Sequence, residues 1–183
     1  FKQRCCRKTD IGQSKDHGET QTRIKTVINT QFIVACDNLA QSRFIETPLP
    51  DTVPDGALLV KVDRFALTAN NITYAVLGDQ LKYWQLFPAP DGFGIIPVWG
   101  FGDVTASRHP GIAEGERLFG YFPMGSHLVI AADGVNQRGL RDAAPHRQGV
   151  APVYNAYARV GGDPAFAGAH GDYQALLRPL FML

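Results

Sequence analysis

The chain has 183 residues, of which 45% belong to the AVILMFWYC class and 10% are aromatic, and its 18 Lys/Arg against 17 Asp/Glu leave a net charge of +1. A chain of this length buries roughly 70% of its unfolded surface, which allows a sizeable core and one or two domains. The composition excludes a wholly disordered chain and a coiled coil. There is no apolar run of the roughly 18 residues that a membrane helix needs, and no basic excess to neutralise phosphates, so neither a membrane nor a nucleic acid is an expected partner.

Residues 1–26 hold seven Lys/Arg, three Asp/Glu and only five apolar residues, Phe1, Cys5, Cys6, Ile11 and Ile24. Such a segment cannot offset its ordering entropy by burial, and it reads as a disordered basic arm. No apolar h-region follows its basic residues, so it is no secretory signal, and Arg7-Lys8 is too short for a nuclear one. The start at Phe1 and the apolar finish Leu180-Phe181-Met182-Leu183 suggest a fragment of a longer protein. Without a CxxC motif or a disulfide framework, the three Cys favour a reducing, cytoplasmic setting, with Cys36 a packed thiol.

The folded part is expected from Val27. Strands are predicted over Gln31–Cys36 and Ser42–Thr47, followed by Pro/Gly turn chemistry at 48–56. Ala57–Leu67 is the strongest strand, with Leu59, Lys61, Asp63 and Phe65 on one face and Leu58, Val60, Val62, Arg64 and Ala66 on the other. Thr68 then fits an N-cap. Ile72, Ala75 and Val76 form the helical stripe, and Gly78 is the C′ stop. The aromatic, Pro- and Gly-punctuated stretch Tyr83–Gly94 reads as a loop or lid. Val98–Ser107, Arg117–Phe122 and His127–Ala131 read as further strands, with Gly100 and Gly102 marking a bulge or a close backbone approach. Strands at this spacing suggest a compact barrel or sandwich. Beyond Leu140 short helices are predicted at Tyr154–Val160 and Asp172–Leu177.

No two of the five His lie one helical turn apart and there is no HExxH, so no metal site is expected. The pairs Gly92-Phe93-Gly94 and Gly100-Phe101-Gly102 do not continue into a dinucleotide fingerprint. Ser126 and His127 adjoin, and the alternation of strand side chains argues against their pairing. The richest segment is Thr68-Ala69-Asn70-Asn71-Ile72-Thr73-Tyr74. It sets polar side chains and a phenol at the start of a short helix, where unpaired N–H groups and the dipole favour a polar ligand atom. Asn71 and Tyr74 share a face. The same residues also suit simple capping by Thr68, Asn70 or Asn71, with Tyr74 in the core.

The order PLPDTVPDGALLVKVDRFALTANNITYAVLGD, then IIPVWGFGDVTASRHPGIAEGERLFGYF, resembles the GroES-like N-terminal half of medium-chain dehydrogenase/reductases. Pro97-Val98-Trp99-Gly100 matches that group's Pro-x-x-Gly, and Gly115-Glu116-Arg117-Leu118-Phe119-Gly120 its Gly-Asp-Arg-Val-x-Gly. More closely, 32–181 is similar to an uncharacterised bacterial family within the group, on the runs DRFALTANNITYAVLGD, FPAPDGFGIIPVWGFGDV, DAAPHR and LLRPLF. The zinc-binding Cys and Gly-His-Glu are absent, so the nearer likeness is to zinc-free quinone and enoyl reductases. In their Gly-Leu-Asn-Pro-x-Asp segment Thr68 stands for the Asn and Asn71 for the Asp. The resemblance implies a mainly β (α+β) fold, with a partly open GroES-like barrel over 27–140. A helical tail over 141–183 would lead to an absent Rossmann domain. It implies an oxidoreductase fragment, inactive alone, that binds no cofactor itself. The full-length protein would use NADPH or NADH on a small-molecule substrate, and a homo-oligomer is possible. Thr68, Asn70, Asn71, Tyr74 and Tyr121 would line the substrate pocket, with Tyr83, Trp84 and Phe87 as an apolar lid. The alternative is a non-catalytic binding or scaffold protein on the same fold.

Overall fold

The computed structural model describes residues 27–162, 166 and 171–177. The expected basic arm and the apolar finish at Leu180–Leu183 lie outside the described residues. Two β assemblies make up the architecture. In the smaller, β1 (Ile28–Ala35) lies between β2 (Ser42–Pro48) and the two-residue β4 (Phe93–Gly94), both antiparallel to it. The larger is a closed barrel. Around it run β3 (Ala57–Phe65), β5 (Pro97–Ser107), β6 (Arg117–Pro123), β9 (Ala156–Arg159), β8 (Gly139–Asp142) and β7 (His127–Asp133), and β7 pairs back with β3. A single α-helix, α1 (Ala69–Val76), follows β3, and a second, α2 (Gly171–Leu177), packs on β3 and β5.

Inward and outward residues alternate as a barrel requires. Leu58, Val60, Val98, Leu118, Phe122, Ile130, Leu140 and Tyr157 are buried in one apolar cluster. Glycine makes that filling possible. A Cβ on Gly102 would sit 2.6 Å from Val60 Cγ1 and 3.2 Å from Phe122 Cε1, and one on Gly120 would meet the Tyr157 ring. The close approach expected at Gly100 and Gly102 is therefore real. It is matched by register shifts in the β3–β5 ladder at Leu59/Val60 and Val62/Arg64.

Several expectations change. The second shift breaks the alternation of β3, so Arg64 is exposed beside Asp63, with Nε donating to Asp63 at 2.7 Å. The barrel is closed rather than partly open, and it does not end at 140. Its closing strand, β9, falls where a helix was predicted over Tyr154–Val160. Four residues between two 3₁₀ turns, Pro152–Asn155 and Val160–Gly162, are too few to show a period. The tail helix at Asp172–Leu177 is present as α2. On α1 the buried face is Asn71 and Ala75, one turn apart, whereas Ile72 and Val76 are 65% and 64% exposed. Small side chains let the helix approach β5, which turns the larger apolar stripe outward. Gly78 ends α1 without a positive φ. It is glycine because the indole of Trp84 occupies the place a Cβ would take. Among the described residues no helix is long and apolar enough to cross a membrane.

Candidate functional site

The outer face of β5 and β6 is an aromatic wall. Cross-strand pairing sets Trp99 opposite Tyr121 and Phe101 opposite Phe119, with ring centroids 4.8 and 5.0 Å apart. Phe166 closes over the Phe101–Phe119 end. At the other end three more phenols gather on Tyr121. Tyr154 lies 4.7 Å from its ring and Tyr74, from α1, 5.5 Å. Tyr83 packs on both of these at 5.0 and 5.3 Å. The Tyr83 and Tyr154 hydroxyls share a hydrogen bond of 2.9 Å. The Tyr121 hydroxyl is buried and has no hydrogen-bond partner of good geometry among the described residues. Burial, then the neighbouring phenols, pushes its pKa well above the usual tyrosine value. Tyr83 is raised by burial and by its bond to Tyr154. Both are therefore neutral O–H groups at physiological pH, able to donate to an oxygen that gains charge.

Arg147 supports this cluster from behind. Its side chain is 1% exposed, its guanidinium lies 4.8 Å from the Phe87 ring, and Nη1 donates to the Tyr154 carbonyl at 3.2 Å. Its counter-charge is Asp142, also 1% exposed, whose Oδ2 approaches Nε to 3.0 Å without lining up as a hydrogen bond. Asp142 Oδ1 accepts from the backbone N–H groups of Ala131 and Ala144.

The residues nominated from sequence divide in two. Tyr74, Tyr83 and Tyr121 come together. Thr68, Asn70 and Asn71 do not join them as free polar groups. Thr68 occupies the N-cap of α1, and its backbone N–H donates to Asn71 Oδ1 at 2.7 Å. Asn71 Nδ2 donates to the Pro97 carbonyl at 2.9 Å, so this buried amide ties α1 to β5. Asn70 is half-buried on the first turn. Trp84 is wedged between Gly78 and Gly94, and Phe87, 2% exposed, is core under Arg147 rather than a lid. Sequence reasoning missed Trp99 and Tyr154. Alternation along Val98–Ser107 puts Trp99 and Phe101 on one face, which was a usable signal. Tyr154 carried none, because it lies in the short 3₁₀ turn Pro152–Asn155, which has no period to read.

One expected exclusion is corrected. Ser126 Oγ lies 2.9 Å from His127 Nδ1. Alternation does not apply, because Ser126 sits in the bend before β7 begins. The same Oγ accepts the Thr30 N–H at 2.9 Å, and Asn29 Oδ1 accepts the His127 N–H at 3.0 Å. The group is a polar knot between β1 and β7. Burial, and then Lys61, hold the His127 pKa below its usual value.

Three open clefts of about 410, 470 and 540 Å³ lie away from the phenols, and none of the nominated residues lines them. Among the described residues no three His, Cys, Asp or Glu are grouped to hold a metal ion. Three of the four Gly-x-Gly glycines are used in packing: Gly94 lies against Trp84, Gly100 against the β3 backbone and Phe65, and Gly102 against Val60, while Gly92 takes a positive φ in a turn. They offer no cradle for a pyrophosphate.

The model of a family of proteins of unknown function, DUF2855, matches residues 65–183, and the chain belongs to that family. No curated protein matches the chain.

Proposed function

For this member of the DUF2855 family, we propose that the chain is the substrate-facing part of a zinc-independent oxidoreductase using NADPH or NADH. The enzyme would be akin to quinone and enoyl reductases, with a GroES-like barrel. The nucleotide would be held by a domain outside the described residues, since Gly94, Gly100 and Gly102 of the Gly-x-Gly pairs are taken up by packing. The observation that carries the reading is the buried Tyr121 hydroxyl, which lies amid three other phenols with no hydrogen-bond partner of good geometry among the described residues. A buried donor without an acceptor is costly in a fold that has no use for it. A substrate carbonyl would supply the acceptor. Trp99, tilted against the same ring and stacked on Phe119, would supply an apolar wall for an unsaturated substrate. This chain's residues would bind the substrate, shield it from water and hold a proton at the Tyr121 oxygen. Hydride would come from the cofactor.

Fluorescence tests it. Trp99 lies in the wall, so titrating the 183-residue chain with a soluble quinone or enone is expected to give saturable quenching that Tyr121→Phe weakens about tenfold. Absence of saturable quenching up to millimolar ligand would refute a substrate site here. A version extended past Leu183 is expected to consume NADPH with the same ligand. The second reading, a binding or scaffold protein, draws support from Asn71, whose amide is engaged at both ends by backbone. It expects quenching by ligand with no cofactor consumption in the extended chain.

A further inference from the structure

The strand β2 is the outer strand of the smaller sheet, and among the described residues no strand pairs with its other side. Which of its backbone groups face outward follows from the ladder with β1. At its two ends the Ala35 N–H donates to the Gln41 carbonyl and the Leu49 N–H to the Val27 carbonyl, both at 2.9 Å. In an antiparallel pair the bonded positions recur every second residue. Arg43, Ile45 and Thr47 therefore bond to β1, and the N–H and C=O groups of Ser42, Phe44 and Glu46 point away from the sheet. Phe44 is 71% exposed and lies 5.2 Å from Phe32 on the neighbouring strand.

We propose that this edge is a homodimer interface, in which β2 pairs antiparallel with β2 of a second copy across a two-fold axis at Phe44. The side-chain pattern selects that register. Directly opposed residues share a face, so the axis must pass through a residue and not between two. Centred on Phe44, each of the pairs Ser42–Glu46, Phe44–Phe44 and Glu46–Ser42 exchanges two backbone bonds. The phenyl groups extend the Phe32–Phe44 pair into a four-ring ladder, and each Glu46 carboxylate faces a Ser42 hydroxyl. Centred on Arg43, two guanidinium groups would be opposed. Centred on Ile45, Phe44 would face Glu46, and the Ser42 carbonyl would meet Pro48, which has no N–H. The strand's one cation is already turned inward: the Arg43 guanidinium lies over the Phe93 ring of β4 at 4.3 Å. The edge thus lacks the outward Lys or mid-strand Pro that guards edges against pairing. The site lies on a different sheet from the phenol cluster and does not depend on the role proposed for it.

Sedimentation of the 183-residue chain and disulfide trapping test the proposal together. A single strand pairing predicts a weak dimer, with Kd on the order of micromolar. Phe44→Pro removes an outward N–H and the phenyl group of the ring ladder but breaks no backbone bond to β1, so it is expected to leave the circular dichroism largely unchanged and raise Kd at least tenfold. With Cys5, Cys6 and Cys36 changed to Ser, Phe44→Cys is expected to form a disulfide-linked dimer on mild oxidation, because bonded partners lie about 5.5 Å apart at Cα. Arg43→Cys is expected not to cross-link to itself. Ser42→Cys and Glu46→Cys are expected to link to each other when mixed, and not to themselves. A monomer at millimolar concentration, or trapping at position 43 as efficient as at 44, would overturn it. If Phe44→Pro fails to fold, the trapping pattern alone decides.

Discussion

Asn71 shows how one side chain can satisfy a functional pattern and a structural one at once. Its two polar ends serve the Thr68 N–H and the Pro97 carbonyl. Asn71→Ala would leave both buried backbone groups unpaired, and a loss of about 2–3 kcal/mol is expected in urea unfolding. Tyr121→Phe makes the opposite case. The hydroxyl it deletes has no hydrogen-bond partner of good geometry among the described residues, so Tm is expected to hold or rise slightly even as ligand quenching falls. A fall of several degrees would mean that the hydroxyl supports the fold. Titrating residues give a third expectation. The Arg117 guanidinium, with Arg64, holds the Asp63 carboxyl below the usual carboxylate range. A group depressed in the folded state contributes stability above its unfolded pKa of about 4 and loses it as pH falls through the folded value. For His127 the depressed pKa means that the unfolded chain takes up the proton first, so stability also declines as pH falls below about 6.5. Stability curves from pH 8 to 3 are therefore expected to fall in two stages, and Asp63→Asn to remove much of the lower one. A curve flat over that range would contradict both assignments.

At the scale of elements, legibility followed period and length. The six strands from β1 to β7 other than β4 were readable because runs of seven or more residues repeat a two-residue alternation or an unbroken apolar stretch. The four-residue β8 and β9 were not, since four residues cannot fix a period. The helix α1 was found, but its orientation was not. Hydrophobicity points to Ile72 and Val76, while closeness to β5 favours the smaller Ala75 and the tethering Asn71. Half of the aromatic site was legible for a related reason. Tyr74 stood out at a helix start, Tyr83 in an aromatic loop and Tyr121 through the family resemblance, but only cross-strand register joins Tyr121 to Trp99. The glycines of β5 and β6 make a sharper test. Gly102→Ala would drive a methyl group into Val60 and Phe122, and a loss of about 1–3 kcal/mol is expected from overpacking, measured by chemical unfolding. Gly161→Ala, with open space around its Cβ position, serves as the control and is expected to be near neutral.

The whole molecule depends on a circuit that the chain closes out of order. β9 inserts between β6 and β8, with Leu118 facing Arg159 and Gly139 facing Ala158. The buried Asp142–Arg147 pair fastens the segment between β8 and β9. Removing one member strands the other charge, so Asp142→Ala is expected to cost about 3–5 kcal/mol, and replacing both residues with apolar ones of similar size much less. Equal losses for the single and double changes, in matched denaturant curves, would show that the charges are not what holds the segment. The placing of β9 also bears on how the protein is made in the cell. Synthesis runs at roughly 5–20 residues per second, and β9 emerges roughly a hundred residues after β3 begins. For some seconds the nascent chain carries β6 with one edge bare and the Phe119–Tyr121 face not yet covered by Tyr154. During that interval the growing polypeptide exposes an apolar face and a bare strand edge, and a stop codon ahead of Ala156 is expected to leave an aggregation-prone product.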